Sequence, residues 1–290
     1  MRLLKYLPAV LAIAALSACA SMGVSDIIAI GQAGQKVAEA EQTEFTPKQE
    51  YYIGRAVAAN LLSTRKIYDN QKATDYLNVL ERALADFSDR PETFGGYHVA
   101  ILDADEINAF GAPGGLILVT RGLLRCAASE DGVAAILSHE TSHVVLKHGM
   151  NAIKTARRTA AFQNLAVTTA NAAGGSDVRQ LTDIFKDSIS DITNTLVNNG
   201  YSRDLEYQAD AMALQIMKNA GYDPKAFAEM LQVMETKFKP GGLGFNKTHP
   251  EPRDRLVEVD KKLAAMPAAA TPPQAASARQ ARYQAALGNI

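Results

Sequence analysis

Five residues near the middle of the chain, His139-Glu140-Thr141-Ser142-His143, have the types and the spacing for metal-assisted hydrolysis. On a helix, residues four apart rise about 6 Å and differ by about 40° around the axis, so the two imidazoles face one point. Two nitrogen donors placed in this way suit a tetrahedral zinc. Glu140 falls beside them, where it can take a proton from a water whose pKa zinc lowers to about 7. A catalytic zinc needs a third protein ligand and an open fourth position. Glu206, in Glu206-Tyr207-Gln208-Ala209-Asp210, is the candidate third ligand. Asp210, one turn on, shares its face and can accept the free N–H of a ligand histidine, fixing the tautomer. An acidic pair at that spacing is by itself common on solvated surfaces, and Asp204 on the same helix is a rival ligand.

These residues need elements to hold them. The motif lies in a helix expected from about Glu130 to His148. Ser129 is its N-cap, Glu130 and Asp131 complement its dipole, and Gly149 follows as a stop. Val133, Ile136, Leu137, Val144 and Val145 supply apolar packing. A second helix starts after Ser202 and stops at Gly221, carrying Glu206 and Asp210. Upstream, apolar residues at helical spacing (Ile53, Val57, Leu61; Tyr76, Leu77, Leu80, Leu84) predict two helices between Pro47 and about Phe87. Tyr97–Leu102 and Leu116–Thr120 read as strands, joined by the turn-rich stretch 107–115, and predict a small antiparallel sheet. Helices after Asp223-Pro224 and near 252–264 complete an α+β, mainly α domain over 46–265. Residues 150–200, small and polar with Gly174-Gly175, read as a possible mobile lid over a cleft. The Ala, Pro and Gln-rich stretch 266–290 reads as a flexible tail.

The bulk numbers fit one such domain. The chain has 290 residues, 47% of them hydrophobic, with 30 basic and 31 acidic residues. That balance gives no basic surface for nucleic acid, so none is expected as a partner. Residues 1–18 look like an export signal: Arg2 and Lys5, then an apolar run from Leu7 to Leu16 too short to anchor permanently in a bilayer. Leu16-Ser17-Ala18-Cys19 resembles a bacterial lipobox, in which Cys19 is acylated. Ala18-Cys19-Ala20 is also an ordinary A-x-A cleavage pattern. On the lipobox reading residues 19–45 are a tether, and the absence of aspartate after Cys19 implies the outer membrane of a Gram-negative bacterium, facing the periplasm. Cys126 then has no partner and reads as a small buried apolar residue.

Four pieces, in order, resemble one family. They are Asn108-Ala109-Phe110…Pro113-Gly114-Gly115 with Val119-Thr120-Arg121-Gly122-Leu123-Leu124; Leu137-Ser138-His139-Glu140…His143-Val144…His148-Gly149; Tyr201-Ser202-Arg203-Asp204…Glu206…Ala209-Asp210; and Thr248-His249-Pro250…Arg255. Over about residues 50–260 the chain resembles the gluzincin peptidases of the HtpX, CAAX-prenyl-protease and Oma-type group, metallopeptidase family 48. The resemblance implies an edge strand at Asn108, Ala109, Phe110 and Gly111 to which an extended substrate adds. It implies zinc held by His139, His143 and Glu206, and Glu140 as general base. It also puts His249 near the metal, as an oxyanion stabiliser or a cover at rest; a loop histidine capping the last helix is the plainer alternative. Arg255 would hold that loop by pairing with a carboxylate, or lie on the surface. Thr141 stands where the family usually has an apolar residue, and a small packing difference is expected there. His148 falls off the ligand face and reads as structural or as a complement to the helix dipole, and His98 as sheet packing.

The expected activity is hydrolysis of peptide bonds in unfolded or misassembled envelope proteins. The competing class is a latent or non-catalytic envelope chaperone on the same scaffold, which a degenerate motif would favour; this motif is intact.

Overall fold

The computed structural model describes residues 28–29, 31–35, 45–152, 154–155, 200–237, 249–267 and 273–290. The signal segment, Cys19, most of the tether, nearly all of the 150–200 segment, and Thr248 lie outside them. The chain divides into two units, residues 1–44 with 153–188 and residues 45–152 with 189–290. In the first, residues 28–29, 31–35 and 154–155 are helical. All further description concerns the second. No helix among the described residues is long and apolar enough to cross a membrane.

The second unit is built around one helix. In chain order it has α1 (Pro47–Leu62), α2 (Gln71–Ala85), β1 (His98–Leu102), β2 (Ala109–Ala112), β3 (Leu116–Thr120), the short α3 (Arg121–Leu124), α4 (Glu130–Val145), α5 (Arg203–Asn219), α6 (Lys225–Lys237), α7 (Pro252–Ala265) and α8 (Pro273–Leu287). The mainly helical α+β class expected from the periodicity is the one found. α4 is central because it is apolar nearly all round in its first half: Val133, Ala134, Ala135, Ile136 and Leu137 are all buried. It packs against α5, α6, α2, α8 and the sheet. The Ser129 side chain caps it by accepting from the Gly132 amide.

α4 ends earlier than expected. Leu146 caps it, and Lys147 takes a left-handed conformation with φ 55°. Residues 148–152 resume as a helical turn in a new direction. The expected stop, Gly149, lies inside that turn. The left-handed residue typical of a helix C-terminus is here a lysine. Its ammonium lies 3.2 Å from the buried Glu50 of α1, which offsets the conformational cost.

The sheet is mixed rather than antiparallel, in the order β1-β3-β2. β2 and β3 form a hairpin across Pro113-Gly114-Gly115 and pair antiparallel, Phe110 opposite Leu118. β1 pairs with β3 in parallel, Ile101 opposite Val119. Parallel neighbours need a crossover, and β2 with its flanking loops serves as one. The turn-rich stretch therefore contains a strand. The outer edge of β1 is closed by the side chain of Asn78, which bonds the Val99 amide and carbonyl, and by a bridge from Ile67 to Leu102. β2 is the other end strand, and it lines a cleft.

α1 forms the opposite wall of that cleft. It approaches the hairpin so closely that a Cβ on Gly54 would lie 1.8 Å from the Pro113 carbonyl oxygen. Only glycine permits that contact. Glu50 fastens the same end of α1 by pairing with Arg90 at 2.6 Å as well as with Lys147.

The expected flexible tail is corrected over residues 273–287. They form α8, which docks on the start of α4. Tyr283 and Leu287, one turn apart, are buried, and Tyr283 donates to the Ala127 carbonyl at 2.7 Å. Arg282 bonds both oxygens of the buried Glu130, and Arg279 bonds Asp131. A composition rich in Ala, Gln and Arg favours helix as readily as it suggests disorder, and Pro273 suits a first helical position. Two buried apolar side chains contribute about 1.5–3 kcal/mol each. With a sensitivity of roughly 2–4 °C per kcal/mol, deleting residues 273–290 should lower Tm by about 10 °C. A thermal melt of the truncated chain that overlays the intact one would show that α8 is not part of the cooperative unit.

Candidate metal centre and cleft

α4 and α5 pack face to face, and this brings the separate motifs together. His139 and His143 project from α4 toward Glu206 on α5, and the segment before α7 adds His249. One donor atom from each of these four buried residues lies within 4.8 Å of the others. The two imidazole Nε2 atoms are 3.1 Å apart. Glu206 Oε2 is 3.5 Å from His139 Nε2, and Oε1 is 3.4 Å from His143 Nε2. His249 Nδ1 is 2.7 Å from Glu206 Oε2. The rival acid, Asp204, is exposed on the outer side of α5.

Each ring is oriented from behind. The Asp210 carboxylate lies 2.9 Å from His139 Nδ1 and so accepts its proton, leaving Nε2 as the free donor atom. Arg255, buried on α7, grips the same carboxylate with two bonds of 3.0 and 2.6 Å. Arg255 Nη2 is also 3.2 Å from His139 Nδ1. Both of those atoms carry hydrogen, so the shared carboxylate holds them rather than a direct bond. His143 Nδ1 is 2.9 Å from His148 Nδ1. The turn at Lys147 folds His148 back to that position. Tyr201 stacks on the other face of His143, ring centroids 4.4 Å apart and 18° from parallel. Neither His148 nor Tyr201 was assigned to the site by spacing. Tyr201 immediately precedes the α5 cap and opens one of the four family-like pieces, two signals that could have found it. His98 is exposed, with its ring on the Gly95 carbonyl.

The electrostatics call for a cation. Burial alone would raise the Glu206 carboxyl, but electrostatic interaction with the His249 and His143 rings and hydrogen bonds from His139 and His249 hold it well below the ordinary carboxylate range. Burial and Arg255 depress His139, yet its bonds to Asp210 and Glu206 win and raise it to about 9. Burial holds His143 well below the usual histidine value despite Glu206. Without a metal, the cluster thus takes up positive charge as a proton on His139. Glu206 Oε1 is fully buried with no hydrogen-bond donor. A divalent cation among His139 Nε2, His143 Nε2 and Glu206 would satisfy that oxygen and replace the proton. Two imidazoles and a carboxylate are a suitable donor set, so the residues present fit a metal.

Glu140 sits beside this cluster and lines the cleft with β2 (Ala109 to Ala112), Val57 and Leu61 of α1, Tyr201 and His249. Gly111 passes so close to α4 that a Cβ there would be 2.7 Å from the Glu140 carbonyl oxygen and 3.2 Å from its Oε2. The strand and the carboxylate therefore share one wall. Asn108, at the head of β2, is buried, its amide bonded to Thr120 Oγ1.

Residues 70–263 match the sequence profile of Peptidase family M48. The chain belongs to peptidase family M48. Members of this family are metal-dependent peptidases. Mitochondrial metalloendopeptidase OMA1 of Schizosaccharomyces pombe is 30% identical over 162 residues, covering 54% of this chain and 43% of that protein. The beta-barrel assembly-enhancing protease of Escherichia coli K12 is 24% identical over 218 residues, covering 73% of this chain and 43% of that protein. A putative beta-barrel assembly-enhancing protease of Vibrio cholerae is 26% identical over 231 residues, covering 77% and 46% respectively. The match thus spans less than half the length of these relatives.

Asp210 lies behind His139, one of the residues that could hold a metal. Asp210→Asn should weaken divalent-metal affinity about 10–100-fold, the usual cost of losing a carboxylate behind a ligand histidine. Competition against a chromophoric chelator measures this, and an unchanged affinity would separate Asp210 from the metal centre.

Proposed function

We propose that the chain is a zinc metalloendopeptidase that cuts extended polypeptide segments. The observation that carries this reading is that Glu140, the β2 edge and the His139/His143/Glu206 cluster open on one cleft. Zinc held by His139, His143 and Glu206 would polarise the scissile carbonyl and acidify the attacking water. Glu140 then takes the water's proton and passes it to the leaving amine. A substrate strand adds along Asn108, Ala109, Phe110 and Gly111, so that main-chain bonds give affinity with little sequence selection. Val57 and Leu61 offer an apolar surface to one of its side chains. Asp210 and Arg255 keep His139 in the required tautomer.

We place the enzyme in the periplasm of a Gram-negative bacterium, anchored to the outer membrane by lipid on Cys19, with unfolded or misassembled envelope proteins as substrates. The lipobox-like Leu16-Ser17-Ala18-Cys19 and the names of the bacterial relatives support this. Strand addition selects segments that have failed to fold, which suits quality control.

A latent form is the second reading, and one contact favours it. His249 is bonded to Glu206 and offers a fourth donor atom to the cluster, which would compete with a substrate or water for a metal held there. In the cleaving state it would move and become available to a developing oxyanion.

Purified mature chain should digest casein, and a chelator should abolish the digestion. Glu140→Gln should lower cleavage at least 100-fold while metal binding persists. His249→Ala should raise cleavage if the histidine holds the enzyme at rest and lower it if the histidine serves only the transition state. Casein left intact by the zinc-loaded wild type and by His249→Ala alike would defeat the peptidase reading in favour of a binding role.

A further inference from the structure

Behind the cleft, α4 meets a carboxyl group for which the proposed reaction has no use. Glu81, on α2, is completely buried. Its Oε1 accepts the Thr141 hydroxyl at 2.6 Å, and its Oε2, also buried, has no hydrogen-bond partner. Thr141 is itself fully buried, follows Glu140 directly, and lies between the two histidines of the cluster. Thr141 is thus the anchor of a polar contact between α2 and α4, not merely a change in packing.

The surroundings of Glu81 are hostile to a negative charge. The ionisable groups that face it are Glu140 from α4 and Tyr97 from the segment entering β1. Arg90 lies beyond Tyr97. Its carbonyl takes the Tyr97 hydroxyl, and its guanidinium pairs with Glu50 through Nη2. α5 and α8, which also pack on α2, bring no ionisable group into its electrostatic surroundings. A buried carboxylate with no cation and one open acceptor stays protonated. Burial pushes the Glu81 carboxyl up to about 8; the Thr141 bond works against this shift and the Glu140 charge adds to it.

We propose that Glu81 is a positioning residue: as a neutral acid it holds Thr141, and with it Glu140, at one depth against α2, and its deprotonation loosens α4. Deprotonation does so because it leaves an unsolvated negative charge beside Glu140 that the Thr141 bond alone does not offset. The catalytic consequence rests on the peptidase reading, whereas the lock is a property of the fold. The folded chain holds this proton up to a pH of about 8, while the unfolded chain releases it near 4.5. The folded state therefore binds more protons across that window, and stability falls as pH rises from 4.5 to about 8, then levels. Glutamine has the same shape and no proton to lose, so it removes the slope.

The test compares the full zinc-loaded chain with Glu81→Gln between pH 6 and 9, reading kcat/KM on casein and Tm. The ratio of variant to wild-type kcat/KM should rise about tenfold from pH 7 to pH 9, as the neutral fraction of Glu81 falls from about nine-tenths to about one-tenth. Tm of the wild type should fall relative to the variant up to about pH 8. Thr141→Val should lower kcat more than it alters KM, and Thr141→Ser should restore it. A ratio that stays flat with pH overturns the positioning role whatever the melts show. If the wild type cleaves nothing at any pH, the peptidase reading has failed, and the melts decide Glu81 alone. Parallel Tm curves then overturn the lock, and diverging curves support it.

Discussion

A helix that carries two histidines and a glutamate through the middle of a core must have its polar atoms answered from elsewhere, and the rest of the domain is arranged around that demand. α5 answers His139 through Asp210, and α7 answers Asp210 through Arg255. The turn after α4 answers His143 through His148. α2 answers Thr141 through Glu81. At the far end of α4, Tyr76, Tyr222 and Arg282 converge on Glu130 from three different segments. Apolar packing alone would tolerate small slips of these elements. A buried polar network does not, because each slip strands a donor or an acceptor. The register of α4 against its neighbours is thus set chemically at both ends.

The same demand explains why the chemistry was legible and much of its support was not. His139, Glu140 and His143 follow from helix geometry and local spacing. Glu206 and Asp210 follow from the i, i+4 rule once a second helix is drawn, and burial separates Glu206 from Asp204, which points outward. The pairing of Arg255 with a carboxylate was anticipated through the family resemblance. His148 was not readable as a partner of His143, because in a continuous helix a residue five positions on points elsewhere. Its return depends on a left-handed lysine, a conformation that residue type does not announce.

The sheet and the C-terminus were misread for physical reasons of the same kind. β2 is short and carries two alanines and a glycine, so no alternation of apolar and polar residues marks it. Only the family resemblance implied an edge strand there; by residue pattern alone β1 and β3 looked like a hairpin, and their parallel pairing was hidden. In α8 the buried contacts are few, Tyr283 and Leu287 with their flanking arginines. A stripe that thin does not stand out from alanine-rich background. Glu81 drew no notice in the sequence, since nothing local marks an acidic residue as facing inward.

The contact between Gly54 and the Pro113 carbonyl fixes the calibre of the cleft at one end by main chain against main chain. No change of side-chain rotamer in α1 can relax it. Widening there takes a rigid swing of the whole helix, with Leu61 travelling along. The residue fastened nearest that pivot is Glu50, clasped by Arg90 and by Lys147, the residue at which α4 turns. Any swing must first unfasten this clasp. The gauge of the entrance and the shape of the bend that seats His148 are therefore tied to one carboxylate, far from the reacting atoms yet mechanically in series with them.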